Sequence, residues 1–234
     1  MNDASLRHHG QREIVLDTET TGLDPADGHR IVEIAGIELV NHMPSGRVFH
    51  RHVNPERDMP DDAYAVHGLS AEFLAGFPVF ASHAEAFLDF LGEARLIIHN
   101  AEFDLKFINA ELRRLGREPL RCEVEDTLAL ARRRFPGAQA SLDALCRRFD
   151  IDVSARTKHG ALLDCELLAA VYLELIGGRQ PGLDFIAESG LAGATIAVER
   201  PVRPARPHAA LPEELAAHAA MLRLLSEPIW LAAG

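Results

Sequence analysis

Residues 13–22 read Glu-Ile-Val-Leu-Asp-Thr-Glu-Thr-Thr-Gly, and this stretch sets the first element of the fold. The apolar run Glu13–Asp17 predicts a buried β-strand, which Thr20-Thr21-Gly22 is expected to end. Side chains two apart on a strand point to the same side, so Asp17 and Glu19 present their carboxylates together. Such a pair is destabilising unless a cation lies between the carboxylates. The Asp-x-Glu pattern is common, however, and by itself it favours an exposed strand end with solvated acids.

Two further strands are expected after the first. Ile31–Val40 is apolar on much of both faces, which suits a central strand. Pro44-Ser45-Gly46 predicts a turn, and Val48–Val53 predicts the third strand. Because the links are short, the three strands can form an antiparallel meander.

The apolar periodicity becomes helical after Pro60. It predicts a strand at Leu96–Ile98 and helices at Phe80–Leu91, Phe103–Leu115, Thr127–Arg134, Leu142–Phe149 and Leu162–Ile176. Ser141 is expected to cap the helix that follows it. Strands first and then alternating strands and helices predict an α/β fold, in which helices flank a mixed sheet.

The composition divides the chain into four parts. Residues 1–10 form a disordered leader, and residues 11–178 form the globular domain. Residues 179–210 contain a short peptide followed by a linker, and residues 186–210 are rich in Ala, Gly, Pro and Arg without periodicity, which is typical of a flexible linker. Residues 211–234 regain a helical pattern and end in an apolar segment that holds Trp230.

The overall composition restricts the possible classes of function. The chain has 234 residues and a net charge of −11, whereas proteins that bind nucleic acid by their own field are usually basic. No membrane-length apolar run or signal region is found, so a cytoplasmic location is expected. The three cysteines, Cys122, Cys146 and Cys165, lack zinc-site spacing and are expected to be buried thiols.

Two more acids follow predicted elements. Asp104 lies in His99-Asn100-Ala101-Glu102-Phe103-Asp104, at the start of a helix, where an acid can simply stabilise the helix end. Asp164 lies five residues after His159, among leucines, and either faces solvent or needs a partner such as a metal ion.

Taken together, these segments predict a two-metal site for phosphodiester cleavage, with Mg²⁺ or Mn²⁺ as the cations. Asp17, Glu19 and Asp164 are expected to ligate the metals, with Asp17 bridging, and Asp104 is expected to hold the second metal directly or through water. His159 is the candidate general base, because histidine can exchange a proton near neutral pH.

The three segments resemble the motifs of the DEDDh 3′→5′ exonuclease superfamily, in their order and spacing. The resemblance implies a ribonuclease H-like fold and release of nucleoside monophosphates. Residues 11–185 resemble most the epsilon proofreading subunits of bacterial DNA polymerase III, through motifs such as Val66-His67-Gly68 and Phe135-Pro136-Gly137. This resemblance implies that the end of the substrate contacts a further set of residues beside Asp17, Glu19 and Asp164: Thr20, Leu23, Asp62 and His67.

The C-terminal part resembles the same subunits and implies two partners within the bacterial replication machinery at the nucleoid. Gln180, Leu183 and Phe185 resemble a peptide that binds the sliding clamp, although an ordinary packed turn is the alternative. Leu215, Leu222 and Trp230 fall where the polymerase subunit would bind, although the helix could instead fold back on the main domain.

Two other functions remain open from the sequence. An RNA-processing exonuclease could use the same carboxylates, since these act on the phosphate and do not read the sugar. A non-catalytic scaffold that joins clamp and polymerase is the third possibility.

Overall fold

The computed structural model describes residues 11–154, 158–177 and 210–224. The chain divides into two compact units, Met1–Phe185 and Ile186–Gly234. The clamp-peptide residues and Trp230 lie outside the described residues, as does most of the predicted linker.

The first unit is built on a five-stranded mixed sheet. Its strands are β1 (Arg12–Thr20), β2 (Ile31–Val40), β3 (Met43–His52), β4 (Arg95–Ile98) and β5 (Val124–Asp126). Their order is β3-β2-β1-β4-β5, with β1, β2 and β3 antiparallel and β1, β4 and β5 parallel. The predicted mixed sheet is confirmed, and β1 lies at its centre.

Helices cover both faces of this sheet. They are α1 (Asp61–His67), α2 (Ala71–Leu74), α3 (Phe80–Leu91), α4 (Ala101–Arg114), α5 (Thr127–Arg134), α6 (Leu142–Arg148) and α7 (Ala161–Leu175). Ile14 and Leu16 pack with α3 and α4 on one face, while Val15 packs with α7 on the other. Alternate residues of β1 therefore face different helical layers. Asp17 and Glu19 are at odd positions, so they lie on the same face of the sheet as Val15.

The first hairpin differs from the prediction. The chain reverses at Asn41 and His42, which both have positive φ, and not at Pro44-Ser45-Gly46. Positive φ at both central residues is the backbone of the two-residue turns that suit the twist of adjacent strands. The Pro44–Gly46 segment instead lies inside β3, where the register with β2 shifts.

Most other predicted elements are confirmed, with ends that differ by one or two residues. β1 and β3 are the exceptions, because β1 continues to Thr20 and not only to Asp17, and β3 begins at Met43 and not at Val48. Ser141 caps α6 as predicted, by accepting a hydrogen bond from the Ala144 amide. Cys146 and Cys165 are buried as expected, whereas Cys122 is only half-buried.

In the second unit, the structure describes one helix, α8 (Pro212–Leu222), within the predicted helical segment. Pro212 occupies its first turn, where the missing amide hydrogen costs nothing. Leu215 is largely exposed within this helix. Among the described residues, none of the helices combines the length and apolar character needed to cross a bilayer.

Candidate active site

The carboxylates of β1 lie near its C-terminal end. Asp17 and Glu19 are both partly exposed and flank the buried Thr18, as expected for alternating sides of a strand. Asp17 lies opposite Ala35 of β2, and Glu19 lies opposite Glu33. The odd-numbered residues of β1 face α7, so both acids point toward that helix.

Helix α7 brings a third carboxylate to this place. Asp164 is only 4% exposed, in the first turn of α7, and the preceding loop carries His159. Nδ1 of His159 lies 3.2 Å from Oδ2 of Asp164. Glu19, His159 and Asp164 each offer one ligand atom, and these atoms lie within 4.8 Å of one another. The structure thus brings together residues separated by 140 positions and more.

Asp104 approaches from the other helical layer. It is 3% exposed in the first turn of α4, and its Oδ1 accepts a hydrogen bond of 2.7 Å from the hydroxyl of Thr18. Burial raises the pKa of Asp104 to about 7, although the bonds from Thr18 oppose that shift. Thr18, between the two strand acids, therefore orients the acid that comes from α4.

The four acids Asp17, Glu19, Asp104 and Asp164 are called the acid cluster below. Burial raises the pKa of Asp17 well above its usual range, and the negative charges of Asp104, Glu19 and Asp164 raise it further. Carboxylates in this position are unfavourable as anions in the metal-free protein. Hard oxygen donors gathered in this way fit divalent cations such as Mg²⁺ or Mn²⁺.

Helix α1, which the sequence analysis missed, supports the loop that holds His159. The amide of His159 donates to the carbonyl of Val66, and Nζ of Lys158 donates to the carbonyl of Ala65 at 2.7 Å. The Lys158 ammonium also lies over the ring of Tyr64. The position of His159 therefore depends on α1 as well as on α7.

A cleft of about 590 Å³ opens beside Glu19. Four residues that the family resemblance assigned to the end of the substrate line this cleft: Thr20, Leu23, Asp62 and His67. Leu23 is 82% exposed and projects at the surface, while the hydroxyl of Thr20 donates to the carbonyl of Gly22. A Cβ at Gly22 would lie 2.3 Å from the His29 ring, so a larger residue there would require the His29 side chain to move.

His67 offers a hydrogen-bond donor to this cleft. Its ring is 6% exposed, and its Nδ1 accepts a bond of 3.0 Å from the Leu69 amide, so Nε2 carries the proton. Among the described residues, Nε2 makes no hydrogen bond of good geometry, although the backbone of Thr20 interacts with the ring. Burial lowers the pKa of His67, which favours this neutral form, while the interaction with Thr20 opposes that shift. A buried donor without a well-aligned partner is costly and indicates a place for a ligand acceptor.

Two polar groups near the site were not singled out by sequence analysis. Oδ1 of Asp126, at the end of β5, accepts from the amides of Asn100 and Leu128, and so it joins the starts of α4 and α5. Glu33 is buried opposite Glu19 and contacts the start of α7. Asp126 stands directly before a predicted helix, which is a signal for an N-cap, whereas Glu33 gives no such signal.

Comparisons with known proteins agree with this geometry. Residues 14–172, a range that includes the acid cluster and His159, match the family described as Exonuclease, RNase_T. The chain is 55% identical to DNA polymerase III subunit epsilon of Rickettsia felis over 182 residues, which cover 76% of this chain and 80% of that relative. It is 44% identical over 229 residues to DNA polymerase III subunit epsilon of Escherichia coli K12, covering 92% of this chain and 94% of that relative.

A solved structure of exonuclease X in complex with 5′-overhanging duplex DNA is similar in fold. The TM-score is 0.55 at 27% identity, and the match covers 70% of this chain and 90% of that one.

Proposed function

Because this chain belongs to the DEDDh exonuclease family, and to its branch of DNA polymerase III epsilon subunits, we propose that its acid cluster removes nucleotides from DNA 3′ ends during proofreading. The observation that carries the proposal is the convergence of Glu19, His159 and Asp164 within 4.8 Å, beside a cleft with an unsatisfied buried donor. The reaction is hydrolysis of the terminal phosphodiester, which releases a nucleoside monophosphate.

The acid cluster would hold two divalent cations, Mg²⁺ or Mn²⁺. Asp17, Glu19 and Asp164 supply oxygens on the α7 side of β1, and Asp104 supplies oxygens from α4. Such cations, when bound, stabilise the negative charge on the attacking and leaving oxygens of the phosphodiester. The protein contributes the fixed position of these oxygens, which Thr18 helps to set by its bond to Asp104.

His159 is the proposed general base. Its side chain is 48% exposed, so water can reach the ring, and its contact with Asp164 orients the imidazole toward the acid cluster. The ring would accept the proton of the attacking water and later release it to solvent. Its support from the Val66 carbonyl keeps the loop in place during this exchange.

The cleft beside Glu19 would receive the terminal nucleotide. The Nε2–H of His67 is suited to an acceptor on the sugar or base, and the exposed Leu23 can contact the face of the end base. Asp62 and Thr20 line the same space. A mismatched end frays at lower cost than a paired one, so a single-stranded end would reach the cleft more often after an error.

The function is tested with end-labelled single-stranded DNA, duplex DNA with a mismatched or matched 3′ end, and a matched RNA oligonucleotide. We expect stepwise shortening from the 3′ end, faster for the mismatched duplex than for the matched one, and abolished by EDTA. Faster degradation of RNA than of DNA would instead favour an RNA-processing enzyme. Activity that persists in EDTA would contradict the metal mechanism.

The residues beyond 178 are proposed to join this domain to the replication machinery in the bacterial cytoplasm. Gln180, Leu183 and Phe185 would bind the sliding clamp, and Leu215, Leu222 and Trp230 would bind the polymerase subunit. The net charge of −11 supports this proposal, because an acidic chain gains little DNA affinity from its own electrostatic field and would depend on its partners for that affinity. A tether to DNA-bound partners raises the effective concentration of the 3′ end.

Deleting residues 186–234 tests this arrangement. We expect the shortened protein to hydrolyse short oligonucleotides at the rate of the full chain, because the acid cluster and its supports lie before residue 178. It should no longer copurify with the polymerase subunit. Unchanged oligonucleotide hydrolysis also serves as the control for folding. Continued association with the polymerase would show that the binding surface lies elsewhere.

A further inference from the structure

Glu33 is a buried acid that belongs to no part of the acid cluster. It lies on β2 directly opposite Glu19, on the face that α7 covers, and is 5% exposed. Cross-strand neighbours of the same charge are unfavourable. A buried carboxylate beside several others therefore needs a compensating set of contacts.

Each carboxylate oxygen of Glu33 has its own contact. Oε2 accepts a hydrogen bond of 3.0 Å from the amide of Ala161, the first residue of α7. Oε1 lies 2.6 Å from Nε2 of His50 and 3.6 Å from Nε2 of His52, both on β3. One carboxylate thus connects two strands of the sheet to the start of a helix.

The start of α7 depends on this contact. Its N-cap residue is Gly160, which has no side chain with which to cap the helix. The first amides of a helix have no partners within the helix, and a negative charge near them is favourable. Glu33 therefore takes the place of the missing cap, although it is 128 positions away in the chain.

We propose that Glu33 is a positioning residue for the reaction. It fixes the first turn of α7 against β2, and this turn carries Asp164 and follows the loop of His159. Because β2 is paired with β1, the same contact sets the distance from Asp164 to Asp17 and Glu19. The inference rests on the proposed function, since it concerns how the acid cluster is held for metal binding.

The test compares Glu33→Gln and Glu33→Ala with the same two changes at Glu38. Glu38 is a matched control, because it is also on β2, is 4% exposed and is held by charged and polar partners. Those partners are Arg12, Ser45 and Arg47, and Arg12 also donates to carbonyls at the end of α3, so none of them belongs to the first turn of α7. Each variant is made in the full chain and its thermal melt is recorded.

Two readouts are used below the melting temperature of every variant. The affinity for Mn²⁺ is measured by calorimetry without DNA, and the Mg²⁺ concentration for half-maximal hydrolysis is measured with a single-stranded oligonucleotide. We expect Glu33→Ala to lower the affinity for Mn²⁺ and to raise the half-maximal Mg²⁺ concentration, each by about 10- to 100-fold, as is usual for groups that orient metal ligands. Glu33→Gln, which keeps an oxygen for the Ala161 amide, should lie between it and the wild type.

The Glu38 variants distinguish a loss of metal-site positioning from a general loss of protein stability. We expect them to lower the melting temperature while leaving both metal readouts unchanged. If Glu33→Ala does not fold, an unshifted Mn²⁺ affinity in Glu33→Gln overturns the inference. Equal metal readouts in the Glu33 and Glu38 variants also overturn it. An inactive wild type would count against the proposed function, while loss of Mn²⁺ affinity in Glu33→Gln would still support the positioning role.

One further result would overturn the inference in favour of a different role. Glu33, His50 and His52 offer ligand atoms within 4.8 Å of one another, so they could themselves take a metal ion. A binding event that survives Asp17→Asn and disappears in Glu33→Gln would assign the three residues to a separate metal site. Positioning predicts no such event.

Discussion

Asp17→Asn is expected to reduce turnover by at least about 1,000-fold, because it removes one metal-binding carboxylate while keeping the shape of the side chain. A metal ion contributes several kcal/mol to the stabilisation of transition-state charge. Each 1.36 kcal/mol corresponds to a tenfold change in rate. The rate is measured with single-stranded DNA at saturating Mg²⁺, and the Mn²⁺ affinity of the variant should fall as well.

The same change should stabilise the metal-free protein. Burial and the charges of Asp104, Glu19 and Asp164 raise the pKa of Asp17, so its anion is disfavoured in the folded state. A neutral amide removes that penalty, and we expect the melting temperature at pH 7 to rise by a few degrees in EDTA. Lower activity together with higher stability is not expected from general damage to the fold.

The pH dependence of the melting temperature extends this prediction. The folded-state pKa of Asp104 is raised to about 7, above the value of about 3.9 for an unfolded aspartate. A carboxyl whose folded-state pKa is raised binds its proton more tightly when folded, so stability falls as pH rises between these two values. The lowered pKa values of His52, His67, His83 and His99 act in the opposite direction, so the contribution of Asp104 is measured as the difference from Asp104→Asn. In EDTA the melting temperature of the wild type should fall relative to that of Asp104→Asn from about pH 4 to about pH 7, and saturating Mg²⁺ should reduce this relative fall.

Asp89→Asn is the matched control for these measurements. Asp89 is an exposed acid of α3 that does not line the cleft, and its replacement by asparagine removes one negative charge, as Asp17→Asn does. It should leave turnover and the metal-free melting temperature close to those of the wild type. Normal turnover in Asp17→Asn would exclude Asp17 from the metal site.

The sequence predicted the long apolar strand β2 and most helices of the main domain well, because their signals are local. Ile31–Val40 and Phe80–Leu91 were predicted with the bounds that the structure has. Their apolar residues repeat at the period of a strand or a helix. Helix α1 was missed for the opposite reason, since most of its residues are exposed and its only buried one is His67.

The turn of the first hairpin was mispredicted for a related reason. Pro44 and Gly46 are strong turn formers by composition, while Asn41-His42 lacks the glycine that usually marks such a turn. The chain nevertheless turns at Asn41-His42, because a turn there allows β2 and β3 to pair from Val40 and Met43 to Glu33 and His52. Ser45, which was predicted in the turn, lies within β3, and its hydroxyl donates a hydrogen bond to the carboxylate of Glu38.

The contacts that organise the site could not be predicted from sequence patterns. Thr18 meets Asp104 across 86 positions, and Glu33 meets Ala161 across 128. Neither contact follows from a local period, because each depends on how a helix is placed on the sheet. The sequence therefore indicated which acids form the cluster, but the structure alone identified the residues that hold two of them.

His159→Gln is expected to lower turnover by about 100- to 10,000-fold, the usual contribution of a general base. Glutamine can keep a polar contact with Asp164 but cannot accept the proton of the attacking water. The acid cluster is unchanged, so the variant should bind Mn²⁺ and single-stranded DNA with affinities close to those of the wild type. A loss of Mn²⁺ affinity as large as the loss of turnover would make His159 a metal ligand instead.

His159→Ala allows a more direct test of the base. The side chain is 48% exposed and lies beside Asp164, so its removal leaves a space there that free imidazole can enter from solvent. We expect added imidazole to restore part of the turnover of His159→Ala. It should not restore Asp17→Asn, in which the base is intact and a metal-binding oxygen is missing. Restoration of neither variant, with wild-type metal affinity in His159→Ala, would indicate that another group accepts the proton.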